Sequence, residues 1–81
     1  MQAGIIRVDV HGMNSYQAKI KIDSVLRKAG REVYRLLLIH GYNNGTVLKD
    51  MILSEYTKHP KVLRIVFNSN LGQTELILRE F

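Results

Sequence analysis

Apolar and polar residues alternate at the start of this chain. From Ile5 to Val10, the apolar residues Ile6 and Val8 are separated by the charged residues Arg7 and Asp9. A period of two is typical of a β-strand with one buried face and one face in contact with water. The pattern therefore predicts a first strand over residues 5–10, with its charged side chains on the wetter face.

Two other segments carry apolar residues at helical spacing, and the residues around them mark where each helix begins and ends. Asn14 is a good N-cap residue, and Gln17 three positions later completes a capping-box pattern. Gly30 predicts the end of the first helix, and Pro60 the end of the second, because proline disfavours helix in the residue before it. The apolar helix faces comprise Ala18, Ile22, Val25, Leu26 and Ala29 in the first helix and Val47, Leu48, Met51, Ile52 and Tyr56 in the second.

Three further strands follow from the remaining apolar segments. Residues Val33 to Ile39 are apolar on both faces apart from Arg35, which predicts a strand in the interior of the sheet. Val62 to Phe67 and Thr74 to Leu78 have strand composition and flank a turn-like cluster. The order β-α-β-α-β-β has two crossover connections, which predict parallel neighbours, and a hairpin, which makes the last strand antiparallel. We therefore expect an α/β fold, a two-layer sandwich in which two helices cover one face of a four-stranded mixed sheet.

The second face of this predicted sheet has no helix to cover it. Charged and apolar side chains are mixed there, and exposed apolar area of this kind often marks a partner surface, which makes a homodimer one expectation. The alternative is that long arginine stems shield the apolar residues from water. Alternation assigns Arg7, Asp9, Arg35, Leu37, Ile39, Arg64 and Val66 to this face, together with Ile77 or Arg79.

Length and composition narrow the class of protein. With 81 residues the chain is expected to form a single domain, residues 1–81, whose sites are surface grooves. Its formal net charge of +5 favours a polyanionic partner, and the absence of cysteine excludes disulfides and thiol catalysis. No apolar run is long enough to span a membrane and no signal peptide is evident, so the cytoplasm is the expected location.

Two strand ends that combine histidine with glycine, which we call the histidine corners, are the strongest candidates for catalytic residues. The segment Val8 to Gly12, which contains Asp9 and His11, ends the first strand, while His40 ends the second strand before the loop Gly41 to Gly45. In α/β proteins, ligands bind beyond the carboxyl ends of the strands, where loop amides and helix N-termini are free. Corners joined by a single helix lie side by side, so we expect the two histidines and Asp9 to form one site.

These motifs resemble the small MutS-related (Smr) domain family. The family's first signature, Leu-Asp-x-His-Gly, is matched by Val8 to Gly12, with valine in place of leucine. Its second signature, His-Gly-x-Gly with another glycine shortly after, is matched by His40, Gly41 and Gly45. The resemblance extends over most of the chain, from about Ile5 to Arg79.

Two positions near the second signature depart from the family pattern. Asn43 stands where the family usually has glycine, and Lys49 replaces the arginine common in the helix that follows. Asparagine adopts positive φ angles more readily than other non-glycine residues, so the loop shape is compatible with this change. A third and looser motif, glycine and threonine before a closing apolar strand, is matched in outline by Gly72 and Thr74.

The resemblance implies the fold of the C-terminal domain of bacterial translation initiation factor three. It also implies binding to RNA or structured DNA, association with ribosomes, and, as in several members, endonuclease activity. Asp9 and His11 would then carry the chemistry with help from His40, since histidine titrates close to neutral pH. A divalent ion, Mg²⁺ or Mn²⁺, would be held weakly at most, because two-metal nucleases gather several carboxylates and Asp9 is the one expected at this site.

The nucleic acid would be bound by loop amides, cations and one aromatic ring. A glycine-rich loop at a helix N-terminus offers backbone N–H groups to a phosphate, and a loop tyrosine can stack on an unpaired base. The binding residues expected on this basis are Gly12, Gly41, Tyr42, Asn43, Asn44, Gly45 and Lys49, with the arginines Arg7, Arg64 and Arg79.

Structural roles compete with each of these assignments. The histidines can serve only to hydrogen-bond loop carbonyls, and Asp9 can form an ion pair with Arg7 or Arg35. Three functions therefore stay open. They are a nuclease that cleaves RNA more readily than DNA, a non-catalytic nucleic-acid-binding module, and a protein-interaction adaptor that uses the open sheet face.

Overall fold

The computed structural model describes residues 4–41, 47–67 and 72–80, which form four strands and two α-helices. The β-α-β-α-β-β order and the two-layer α/β fold predicted from the sequence are confirmed. The elements are β1 (Ile5–Asp9), α1 (Ser15–Lys28), β2 (Arg35–Ile39), α2 (Val47–Tyr56), β3 (Arg64–Phe67) and β4 (Gln73–Ile77).

The strands lie in the order β1-β2-β4-β3. β1 and β2 are parallel, whereas β4 is antiparallel to both β2 and β3. The expectation that each crossover joins parallel neighbours is therefore wrong for the second crossover, because β4 lies between β2 and β3. Burial explains the order. β4 carries the fully buried Thr74 and Leu76 and suits the interior, while the short β3 begins and ends with exposed residues and suits an edge.

Both helices pack on one face of the sheet and form the core with it. Leu36 and Leu38 from β2 and Leu76 from β4 join Ile22 of α1 and Ile52 of α2 in one buried cluster. In the part of the chain that the structure describes, neither helix is long and apolar enough to cross a membrane.

A capping box sets the start of α1, as the sequence predicted. The Asn14 side chain accepts a hydrogen bond from the Gln17 backbone N–H at 2.8 Å, and the Gln17 side chain accepts one from the Asn14 backbone N–H at 3.2 Å. These bonds satisfy two backbone donors near the helix N-terminus that have no partner within the helix. The start of α1 is thereby fixed a few residues after the end of β1.

The face of the sheet opposite the helices is lined by arginine–carboxylate pairs. Arg35 contacts Glu75 at 2.8 Å, and Arg64 contacts Glu80 at 2.7 Å. Ile77 lies directly between Arg35 and Arg64 in the strand register and is only 2% exposed, although no helix covers it. This arrangement favours the expectation that arginine stems shield the apolar residues of this face.

Candidate functional site

The carboxyl ends of β1, β2 and β3 lie side by side at one end of the sheet, next to the start of β4. We call this row of strand ends the histidine edge, since it holds both His11 and His40; the name does not refer to an edge strand. The two parallel strands are locked together there, because the backbone N–H of Val10 donates to the Ile39 carbonyl at 2.8 Å. The candidate residues that follow β1 and β2 in the sequence are thus brought to the same place.

Asp9 holds the ring of His11 in a defined orientation. Its Oδ1 accepts the His11 backbone N–H at 3.1 Å and also hydrogen-bonds Nδ1 of the ring. An ionised carboxylate can only accept, so the ring proton is on Nδ1, and Nε2 of the neutral ring keeps a lone pair. The His11 side chain is 68% exposed, and Nε2 has no hydrogen-bond partner among the described residues.

The contacts of Asp9 also keep it ionised. The hydrogen bond from the His11 ring lowers the pKa of Asp9 below its ordinary value of 3.8, and the His11 backbone N–H and the charge of Lys21 act in the same direction. Lys21 approaches because its Nζ donates to the Asp9 backbone carbonyl at 2.8 Å. The alternative in which Asp9 pairs with Arg35 is not observed, since Arg35 pairs with Glu75 instead.

His40 lies in a different environment, because it is only 6% exposed. Its Nδ1 donates to the Gly41 carbonyl at 2.8 Å, and its Nε2 accepts from the Thr74 hydroxyl at 2.9 Å. The carbonyl fixes this tautomer, since a carbonyl oxygen can only accept. Both ring nitrogens are therefore occupied by protein groups. A role for His40 in proton transfer stays a prediction, and the observed contacts tie β2 to β4.

Glycines allow the two corners to adjoin. Gly12 and Gly41 have φ angles of +80° and +74°, in the left-handed region that other residues rarely adopt. A Cβ atom added to Gly41 would lie 3.4 Å from Cβ of His11, so the backbone of the second corner lies directly against the first. The N–H groups of His40 and Gly41 both donate to the Gly72 carbonyl, at 2.9 and 3.0 Å.

Lys49 also lies near this edge, in the first turn of α2. Its Nζ is 4.9 Å from the centre of the Phe67 ring, which ends β3. Four of the expected binding residues lie outside the described residues, namely Tyr42, Asn43, Asn44 and Gly45.

The structure does not bring all the expected arginines to the histidine edge. Arg64 starts β3 and is paired in register with Ile77, the last residue of β4, and Arg79 follows shortly after β4. Arg64 is thus about 13 Å along the strands from the histidine edge, at the level of Ile77, and Arg79 is two residues farther along the chain. Arg7 lies between the two ends, in the middle of β1.

Carboxylates are sparse at this edge. In the described ranges, no group of three or more histidine, aspartate and glutamate side chains is arranged to hold a metal ion. Mg²⁺ is commonly bound through one or two carboxylates together with water and substrate phosphates. Asp9, beside His11, is the carboxylate at this edge that fits the role of such a ligand.

Two contacts at the site were not anticipated from the sequence. Thr74 is the buried partner of His40, and Lys21 is the cation beside Asp9. Strand alternation could have placed Thr74 inward, where a hydroxyl needs a partner. Lys21 lies among the basic residues of a helix surface, and no local pattern separates it from the others.

Comparisons with known proteins agree with this geometry. The Smr domain family model matches residues 8–70, a segment that includes both histidine corners. A search of curated proteins found no match. Among solved structures, the chain is similar to the crystal structure of the Smr domain of Thermus thermophilus MutS2. The TM-score is 0.82 and the identity 22%, over 93% of this chain and 99% of that one, which shows a common fold. Because the family model spans more than half of the chain, the protein belongs to the Smr domain family, a family of nucleic-acid-binding modules.

Proposed function

We propose that this Smr domain binds nucleic acid at the histidine edge and cleaves its phosphodiester backbone, with RNA preferred to DNA. The observation that supports cleavage is the pair formed by Asp9 and His11. A carboxylate that accepts Nδ1–H fixes the tautomer of the ring and directs Nε2 toward solvent, as in other aspartate–histidine pairs that transfer protons. Such a ring can act as a general base.

RNA supplies its own nucleophile for this reaction. Nε2 of His11 removes the proton of a ribose 2′-hydroxyl, and the 2′-oxygen attacks the adjacent phosphorus. The bond from phosphorus to the 5′-oxygen breaks, the 5′-oxygen takes up a proton from water, and the products are a 2′,3′-cyclic phosphate and a 5′-hydroxyl. Asp9 stabilises the imidazolium formed in the first step.

Positive charge near the pair would stabilise the transition state, and Lys21, whose Nζ donates to the Asp9 backbone carbonyl, is a cation beside it. Lys49 in the first turn of α2 and the positive end of the α2 dipole lie farther along the same edge and would attract neighbouring phosphates. Residues 42–45 precede this helix, and we assign to their backbone N–H groups the binding of a phosphate, because the N–H of Gly41 already donates to the Gly72 carbonyl. His40 would position the start of this segment through its bonds to Gly41 and Thr74.

The experiment incubates the protein with labelled single-stranded, duplex and branched RNA and DNA, with and without Mg²⁺ or Mn²⁺. We expect Asp9→Asn to lower the cleavage rate at least about 100-fold, the smaller end of what general acid–base catalysis contributes. Binding should be largely retained, because the charge that attracts the nucleic acid comes from lysine and arginine. The chemistry of the product ends distinguishes attack by the 2′-hydroxyl from attack by water.

Glu32→Gln is the matched control, because it makes the same change in net charge at an exposed residue between α1 and β2. It should cleave at the wild-type rate. Equal rates for Asp9→Asn and the wild-type protein would show that the catalytic assignment is wrong.

A second candidate function is binding without cleavage. It is favoured by the burial of His40, since both of its ring nitrogens are occupied and the two histidines of the site then provide one free imidazole nitrogen rather than two. This function predicts strong binding and no product in the same experiment. If neither binding nor cleavage is seen, the open sheet face becomes the candidate surface of a protein-interaction adaptor.

A further inference from the structure

Exposed aromatic rings lie beside the histidine edge. Among the described residues, the two aromatic side chains with large exposure are Tyr16, at 74%, and Phe67, at 51%. Tyr16 is in the first turn of α1, which begins soon after His11, and Phe67 is the last residue of β3. Both therefore lie on the side of the molecule where the strands β1, β2 and β3 end.

Phe67 is connected to the site through the strand register. It is paired with Thr74 of the neighbouring strand, and the Thr74 hydroxyl bonds His40. Adjacent strands are about 4.8 Å apart, so Phe67 is displaced from His40 by two strands, or roughly 10 Å across the sheet. The Asp9 and His11 pair follows β1, one strand beyond β2, so it is about 14 Å from Phe67 across the sheet. This separation suits a nucleotide a few positions along the strand from the one whose phosphate lies at that pair.

A cation accompanies the ring. The Lys49 ammonium group lies 4.9 Å from the centre of the Phe67 ring, within the range of a cation–π contact. A half-exposed ring offers stacking area to a base, and a neighbouring ammonium group offers charge to the phosphate of the same nucleotide. Ring and cation together have the two chemical features that a nucleotide-binding position requires.

We propose that Phe67 and Lys49 form a subsite for one unpaired nucleotide, so that the histidine edge takes single-stranded segments in preference to duplex. A base can stack on a protein ring only when it is free of its own stack and pairing partner, whereas a duplex presents backbone and groove edges. This inference rests on the proposed function, which it extends by naming the structural class of the substrate.

The first test compares Phe67→Leu with the wild-type protein by fluorescence anisotropy. The probes are a single-stranded uridine oligonucleotide and a blunt RNA hairpin of equal charge. We expect Phe67→Leu to weaken binding of the single strand by at least about fivefold, the lower end for loss of a stacked base, and to leave hairpin binding unchanged. Leu63→Ala is the control, because Leu63 is 60% exposed and lies just before the opposite end of β3.

A second test does not depend on loss of binding. The chain contains no tryptophan, so Phe67→Trp introduces a single reporter whose fluorescence a stacked base would quench. Quenching by the uridine oligonucleotide, and none by inorganic polyphosphate, would support the subsite. Leu63→Trp should respond to neither probe.

The outcomes separate this inference from the function on which it rests. If the wild-type protein binds the single strand but Phe67→Leu binds it equally well and Phe67→Trp is not quenched, the subsite is wrong and the proposed function stands. If the wild-type protein binds no nucleic acid, the proposed function itself fails. Equal affinity of the wild-type protein for the hairpin and the single strand would also overturn the preference proposed here.

Discussion

At the scale of single residues, the candidate chemistry is local. Asp9 and His11 are two positions apart in the sequence, and their side chains meet because the chain turns immediately after β1. Gly12 follows with a positive φ angle and lets the chain turn without strain. The end of the strand, the turn and the hydrogen bond thus all involve residues 9–12. A short sequence motif can therefore specify this half of the site.

The ionisation of Asp9 provides a test at this scale. Because the His11 ring hydrogen-bonds the carboxylate, the pKa of Asp9 lies below 3.8 in the folded protein. A lowered pKa means that the pair stabilises the fold at pH values above the ordinary carboxyl range. That stabilisation is lost as the pH falls through the lowered value. In an NMR titration of carboxyl carbons, Asp9 should titrate below the ordinary range, and His11→Ala should move its midpoint upward.

The control for this titration is Glu80, whose pKa is lowered by Arg64 at the far end of the sheet. His11→Ala should leave its midpoint unchanged. An Asp9 midpoint that is the same with and without the imidazole would contradict the orientation inferred for His11.

The burial of His40 is not predicted by the residues next to it. His11 and His40 have the same local pattern, because each follows a strand and precedes glycine. In the folded chain His11 is mostly exposed and His40 is buried against Thr74. The difference arises because β1 is an outer strand of the sheet and β2 is an interior strand. No local sequence motif contains this information.

At the scale of secondary-structure elements, capping residues were the most reliable guides. Asn14 and Gln17 form the predicted capping box, and the helix that follows them presents its predicted apolar residues to the core. Such signals are reliable because the hydrogen bonds involved join residues only three apart.

The cap can be tested by substitution. Asn14→Ala should lower the free energy of unfolding by about 1 kcal/mol, because the Gln17 N–H loses its acceptor. Asn14→Gly should cost only a few tenths of a kcal/mol, since glycine is tolerated at N-caps. Urea denaturation measures both. Equal stabilities of the wild-type protein and Asn14→Ala would show that this bond contributes nothing to the start of α1.

The position of β4 was not predictable by the same kind of reasoning. The hairpin between β3 and β4 follows from the turn-like residues between them, but a hairpin fixes only that the two strands pair. Which strand of the pair also contacts β2 depends on which is more buried. Leu76 and Ile77 make β4 the interior strand, and this preference exists only relative to β3 and β2 in the assembled sheet.

At the scale of the whole molecule, positive charge is divided between two ends of the sheet. Lys49 lies at the histidine edge, while Arg64 and Arg79 lie at least about 13 Å away along the strands. Arg64 is paired with Glu80, so part of its charge is compensated. A short oligonucleotide at the histidine edge would reach Lys49 and not Arg79.

This division predicts a dependence on ligand length. Lys49→Gln should reduce the slope of the logarithm of affinity against the logarithm of salt concentration by about one for short and long nucleic acids. Arg79→Gln should do so only for a ligand long enough to span the sheet. Anisotropy titrations over a series of salt concentrations measure these slopes. If Arg79→Gln lowers the slope for the short ligand and Lys49→Gln does not, the nucleic acid binds at the other end of the sheet.

The order and kind of the elements, the cap of α1 and the contact between Asp9 and His11 follow from local sequence. Each of these depends on hydrophobic periodicity or on contacts between residues close in the chain. The tertiary structure decided the place of β4, the burial of His40 against Thr74, and the separation of Arg64 and Arg79 from the histidine edge. These features depend on the relative burial of strands distant in sequence, and that quantity is defined only once the sheet has formed.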